Sequence, residues 1–252
     1  MQTIFSVNNN ILGQLDSSSS TKTFRNLLWC ETKRIGLSPH KAIISLRTTV
    51  SDGGIDACVD GTLSADSILI KGSAYFQVKA GSTFKPWQRN SIKKELFGSI
   101  AAKPCRESLA PGIRECLRMH GKYVIVTFGH DLTPKQQSTS KNIISDLIEI
   151  CGYKKPKVDV WGQSQLLGVI SSFPSLSLDL LKRAELPFLD HTSWKGRNDM
   201  LPPLRIASAQ TAVIKNIQKT IRESKYQHIR VIGEPGIGKT RLVLEALSVE
   251  DI

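Results

Sequence analysis

Residues 233–240 read GEPGIGKT and fit the spacing G-x-x-x-x-G-K-[ST], with Gly233, Gly238, Lys239 and Thr240 at the fixed positions. This pattern constrains the fold because its chemistry needs a strand entering the loop, a helix leaving it, and glycines that let backbone N–H groups turn toward a phosphate. The flanking sequence supplies both, with the β-type run HIRVIG before the loop and the helical pattern TRLVLEAL after it. Lys239 is spaced to reach nucleotide β- and γ-phosphates, the Thr240 hydroxyl to ligate Mg²⁺, and Gly236 adds a further permissive position. Only twelve residues follow Thr240, so the acidic strand end that holds the metal ion and orients water is not encoded here. The expectation is that 206–252 is an N-terminal fragment of an ATP-binding domain, and that the chain upstream folds by itself.

The upstream chain has the material to do so. Hydrophobic residues are 40% of the total and charged residues 22%, which excludes a disordered, charge-dominated chain. Lys and Arg number 34 against 22 Asp and Glu, a net charge of +12 that favours a polyanionic partner. The five cysteines form no C-x-x-C pair and have no histidine spaced to complete a zinc site, so they read as reduced thiols of a cytoplasmic protein. The N-terminus lacks the basic and apolar regions of a secretory signal, and no apolar run approaches bilayer length, so no membrane partner is expected.

The serine run Ser17–Ser20 reads as part of a flexible N-terminal segment, 1–21. From Phe24, FRNLLWCETKRIGL has the spacing of an amphipathic helix, and the β-type runs KAIISLRTTV, GIDACVDG and SAYFQVKAG follow. Helical patterns return in SIKKELFGSIAA and around Ile113–His120; KYVIVTFG reads as a buried strand, STSKNIISDLIEIC as a helix, VDVWG as a strand and SQLLGVISS as a helix. This order predicts an α/β domain over 22–190, with a central mixed sheet flanked by helices. The polar stretch at 191–205, with Pro202-Pro203, reads as a linker, and Val213, Ile217 and Ile221 share a helical face at the start of the second domain.

The densest chemistry lies in SDGGIDACVDG and SAYFQVKAG. In a strand, Gln77 and Lys79 share a face with Tyr75, while Ala74, Phe76 and Val78 turn into a core; likewise Asp56 and Cys58 oppose Ile55, Ala57 and Val59. If the two strands pair with their polar faces together, the Asp56 carboxylate, the Gln77 amide oxygen and the Lys79 ammonium converge. Asp56, Gln77 and the Val78 main-chain carbonyl can then bind a hard divalent cation, Mg²⁺ or Mn²⁺, that retains several waters. Lys79 is placed to orient or help deprotonate an attacking water and to offset charge on a pentavalent phosphate.

The elements Gly53-Gly54-Ile55-Asp56 and Gln77-Val78-Lys79 resemble the signature of the PD-(D/E)xK, restriction-endonuclease-like nucleases, and within them the Mrr-like branch. That branch also carries a Glu on its first helix, a place that Glu31 occupies here. Gln77 stands where other branches have a second acid; the replacement removes a charge from the metal site and shifts weight onto Glu31. The resemblance covers roughly 22–190 and implies a restriction-endonuclease-like fold. With the linker and the phosphate loop, the chain resembles the N-terminal effector of a bacterial antiviral STAND NTPase. That resemblance implies a phage protein as trigger, ATP-driven assembly into a homo-oligomer, a tetramer in that family, and degradation of double-stranded DNA.

Each residue also has a plainer reading: Asp56 as a turn cap, Lys79 as an exposed strand lysine, Glu31 as a solvated helix residue. Between Lys71 and Lys122, however, eleven basic residues face three acidic ones, which places +8 of the total +12 in about a fifth of the chain. Lys85, Arg89, Lys93 and Lys94, around Trp87, are the expected backbone contacts. No base-reading module is evident, so sequence-independent cutting is expected. His120, His130, His191 and His228 have no spaced partners and receive no catalytic role. The alternative from another class is a catalytically silent module that binds nucleic acid or mediates assembly beside a nucleotide switch.

Overall fold

The run KYVIVT is apolar on both faces, and Tyr123 through Val126 have no exposed surface, which suits only a central strand. In the computed structural model, which describes residues 7–44, 53–63, 67–69, 72–182, 207–223 and 229–248, it is one of five strands of a mixed sheet. In spatial order these are β1 (Ala42–Ile44), β2 (Ala57–Leu63), β3 (Gly72–Lys79), β4 (Lys122–Thr127) and β5 (Val158–Trp161). The first three form an antiparallel meander, whereas β3, β4 and β5 run parallel. Parallel neighbours need long crossovers, supplied by helices α3 (Arg89–Phe97) and α4 (Pro111–Arg118) between β3 and β4, and by α5 (Pro134–Ile150) between β4 and β5.

Strand alternation divides the apolar residues between two cores. Phe76, Val124, Val126 and Trp161 meet Phe24, Leu27 and Leu28 of α2 (Ser17–Arg34) and Leu166 of α6 (Gln163–Ile170). Phe24, Phe76 and Trp161 form an edge-to-face series with centroids 5.0 and 6.2 Å apart. Tyr123, Ile125 and Val160 project to the other face, against Ile92, Ile113 and Ile144 of α3, α4 and α5. Asp159 joins strands to helix by accepting from Lys122 at 2.8 Å and Lys141 at 2.6 Å.

Three local expectations change. Within the segment 1–21 expected to be flexible, the described residues 7–21 are ordered: α1 (Asn9–Gly13) precedes α2, which begins at Ser17. Serine has modest helix propensity, but the Asp16 side chain caps the Ser19 N–H at 2.6 Å, and Ser20 and Thr21 are buried beside Leu12 and Leu15, so tertiary packing decides. Second, α3 stops at Phe97 rather than running into SIAA, because Gly98 adopts a left-handed φ of 72°. Third, residues 229–233 of the HIRVIG run are irregular, with no neighbouring strand among the described residues to supply a ladder.

The chain divides into two compact units, Met1–Leu186 and Pro187–Ile252. In the second unit, α8 (Ser208–Glu223) packs on α9 (Lys239–Ala246); Ile217 and Ala246 are buried, and Gln218 Nε2 donates to the Ala246 carbonyl at 3.2 Å. The first unit also contains α7 (Pro174–Lys182). The linker predicted at 191–205 lies outside the described residues. Among the described residues no helix is long and apolar enough to cross a membrane.

Candidate active site

The site forms where β2 begins and β3 ends. Ala57 lies opposite Phe76, and just ahead of the paired residues the Asp56 N–H donates to the Phe76 carbonyl at 2.9 Å. The Asp56 carboxylate then accepts from the Val78 N–H at 2.6 Å, doing with a side chain what a strand carbonyl does further along the ladder. Gly53 and Gly54 bring the chain into this position with φ of 70° and 84°. A Cβ on Gly54 would lie 2.9 Å from that of Ala110, and the Gly112 N–H donates to the Gly53 carbonyl at 2.9 Å, so the turn rests against the start of α4. The same turn removes Ile55 from the strand alternation. It packs with the α3–α5 core rather than beside Ala57 and Val59.

Gln77 and Lys79 share a face, as their spacing predicts, and both meet a residue of α3. Gln77 is buried, at 4% exposure; its Oε1 accepts from the Tyr123 hydroxyl, and its Nε2 donates to Glu95 Oε2 at 2.9 Å. Lys79 Nζ lies 2.5 Å from the same Glu95 oxygen, with both side chains about one-fifth to one-quarter exposed (19% and 24%). Because a carboxylate only accepts, Glu95 fixes which end of the Gln77 amide faces it. The expected ligand oxygen of Gln77 is therefore turned to Tyr123. Gln77 positions an acid instead of replacing one. Val78, the other expected oxygen donor through its carbonyl, is tied to Asp56 by its N–H.

Glu31 is not part of this group. It lies on α2, which covers the opposite face of the sheet through the Phe24–Phe76 contact, and its carboxylate accepts from Arg34 at 2.7 and 2.9 Å, Ser67 Oγ at 2.8 Å and the Ile68 N–H at 2.7 Å. Ser67 and Ile68 belong to the β2–β3 connection, at the far end of the strand pair from Asp56 and Lys79. Burial alone pushes the Glu31 carboxyl up, but the hydrogen bonds from Arg34, Ser67 and Ile68 together hold it below the usual range. The metal-ligand role expected for Glu31 gives way to a structural one: it fastens that connection to α2.

An open cleft of about 520 Å³ lies over the site, lined by Gly54, Gln77, Lys79, Lys94, Glu95 and Arg114 among others. Lys85, Arg89 and Lys94 are exposed and Lys93 is half-buried; none makes an ion pair among the described residues, and Trp87 sits edge-on to His130 at 5.0 Å. The end of β3 is clamped from below: the Phe128 N–H donates to the Lys79 carbonyl at 2.8 Å, and His130 Nε2 lies 3.0 Å from the Ser82 carbonyl. Opposite Lys79 in the parallel pairing, the fully buried Thr127 hydroxyl has no hydrogen-bond partner among the described residues.

Compared with known proteins, the chain matches no family model, no curated protein and no solved structure. The geometry therefore carries the functional reading. It adds three residues that the sequence reading did not single out, Glu95, Tyr123 and Arg114. Only Glu95 left a signal: it is the one acid between Lys71 and Arg106, set within a basic run. Among the described residues no three His, Cys, Asp or Glu side chains converge as a metal cluster.

In the second unit, GEPGIGKT forms a loop with Gly236 and Gly238 at φ of 81° and 83°, and α9 starts at Lys239 with Thr240 in its first turn. Lys239 Nζ donates back to the carbonyls of Gly233 at 2.8 Å and Glu234 at 2.6 Å, so the lysine closes over its own loop.

Proposed function

We propose that the first unit is a metal-dependent DNA endonuclease of the restriction-endonuclease-like kind. The observation that carries this reading is the contact of both Gln77 and Lys79 with Glu95 in a cleft rimmed by Lys94 and Arg114, with the Asp56 carboxylate held on the N–H of Val78, the residue between them. A divalent ion fits the donor chemistry: Mg²⁺ takes one or two carboxylates and keeps its waters, Asp56 and Glu95 provide hard oxygens, and the orphaned Thr127 hydroxyl beside Lys79 suits an ordered water. Asp56 and Glu95 are the residues that would hold such an ion, which would supply positive charge for the scissile phosphate and a lowered pKa for a bound water. The Lys79 ammonium, held by Glu95, offsets the charge that builds on the phosphate oxygens. Gln77 and Tyr123 keep Glu95 in place, and Lys94 and Arg114 hold flanking phosphates. Water attack in line with the leaving 3′-oxygen yields 5′-phosphate and 3′-hydroxyl ends.

The second unit is proposed to bind ATP with Mg²⁺ through Gly233, Gly236, Gly238, Lys239 and Thr240 as part of a STAND NTPase. Assembly into a homo-oligomer, triggered by a phage protein, would then activate the nuclease in antiviral defence. The reading is tested by incubating the protein, over a range of concentrations with and without ATP, with supercoiled plasmid in Mg²⁺, Mn²⁺ or EDTA. Nicked and linear products with 5′-phosphates in the metal lanes alone support it. Intact plasmid in every lane, or equal cutting in EDTA, overturns it.

A further inference from the structure

Three hollows on the first unit share residues and so form one continuous surface. The active-site cleft includes Arg114; a second hollow, of about 590 Å³, takes Arg114 together with Arg106, Arg118, His120 and Tyr153; a third, of about 270 Å³, leads from His120 and Tyr153 to Lys154, Lys155 and Lys157. Five cations, Arg106, Arg118, Lys154, Lys155 and Lys157, thus line the path beyond the cleft, with Arg114 where the two join. They are opposed there by Glu107 and Glu115, and Glu115 is already held by a two-pronged bond from Arg118 at 2.7 and 2.9 Å. Lys154, Lys155 and Lys157 are exposed and make no ion pair among the described residues. The Arg106 guanidinium lies 4.8 Å over the Tyr153 ring, which holds its charge at the surface.

The path also has a direction. The loops carrying His120 and Lys154–Lys157 precede β4 and β5, whereas Lys79 ends β3. Lys79 pairs with Thr127 and Ala74 with Lys122, so the ladder between the two ends is six paired residues, about 17 Å over its five steps at ~3.3 Å each. That length matches about five phosphates of one strand at ~3.4 Å each. His120 holds a left-handed φ of 53° where α4 ends, fixed by the Gly121 N–H donating to the Cys116 carbonyl at 2.9 Å, so the loop that carries it has a set course.

We propose that this surface is a track for the sugar–phosphate backbone of duplex DNA, running from the cleft across α4 to the loop before β5. Its destination rests on the nuclease reading; its binding chemistry does not. A duplex fits better than a single strand because the lining is cationic rather than aromatic: its one phenol ring, Tyr153, already has a face covered by Arg106.

Fluorescence anisotropy with a 20-base-pair duplex, over a range of KCl concentrations and without divalent metal, tests the track in the full chain. K154E/K155E/K157E is compared with K22E/K33E/K135E, which makes the same charge change at exposed lysines elsewhere. The track variant is expected to bind at least tenfold more weakly than the control, and its log Kd against log salt slope to fall by about 2.7, three phosphate contacts at ~0.9 each. K154Q/K155Q/K157Q moves the same way by less and guards against misfolding. Equal binding by the track and control variants overturns the track, as does absence of duplex binding by the wild type or equal affinity for a single strand. Plasmid cleavage is scored separately: metal-dependent cutting without the anisotropy contrast removes the track alone, and the contrast without cutting removes the nuclease reading alone.

Discussion

Replacing Gln77 by Glu restores the acid found in other branches of the nucleases this chain resembles, and the structure predicts that it does harm. Gln77 is 4% exposed and both ends of its amide are used. A carboxylate there still accepts from Tyr123, but it sets a second negative charge where an N–H now meets Glu95 at 2.9 Å. The lost hydrogen bond to a charged group is worth about 1.5–3 kcal/mol. Two like charges ~4 Å apart repel by about 4 kcal/mol at an effective dielectric of 20. Lys79, 2.5 Å from the same oxygen, offsets much of that repulsion, so a net loss of about 3 kcal/mol is expected. For a unit of this size that is a fall in Tm of about 6–12 °C. Thermal and urea unfolding at pH 7, followed by circular dichroism, read it directly. The exchanged pair Q77E/E95Q reverses the hydrogen bond and should recover all but about 1 kcal/mol. Q77E as stable as wild type, or a double variant no better than the single, refutes the positioning role.

Two further substitutions probe how the fold is held together, one away from the site and one beside it. Glu31→Gln should cost about 2 kcal/mol at pH 7 through the Arg34, Ser67 and Ile68 bonds. Because the folded carboxyl is held below the ordinary value of 4.5, the stability from Glu31 is full above that value and is lost as pH falls through the folded one, so wild type and variant should converge in acid denaturation curves. Gly129→Ala should displace the segment after Lys79, because a Cβ there would lie 1.7 Å from the Gly81 carbonyl oxygen. We expect its cleavage to fall at least tenfold with metal affinity little changed, and equal cleavage would show that the clamp does not position Lys79.

What could be read from the sequence follows the range of the interactions involved. The alternation of β3 and the doubly apolar β4 are local patterns, so the mixed sheet and the shared face of Gln77 and Lys79 were legible. Glu95 and Tyr123 reach Gln77 from 18 and 46 residues away, and nothing beside them in the chain encodes that meeting. The helix through Ser17–Ser20 was hidden because serine favours caps and loops locally, while burial of Ser20 and Thr21 settles the matter in three dimensions. Glu31 shows the opposite error: its place on the first helix matched a pattern, but α2 covers the face of the sheet away from Lys79.

The most direct measurement compares the initial rate of Mg²⁺- or Mn²⁺-dependent plasmid cleavage by wild type, Asp56→Asn, Lys79→Ala and, as a cleft-rim control, Lys94→Ala. The account predicts losses of at least a hundredfold for the first two variants, about 2.7 kcal/mol of barrier each, and less than tenfold for Lys94→Ala. Cleavage by Asp56→Asn and Lys79→Ala at the wild-type rate would contradict it.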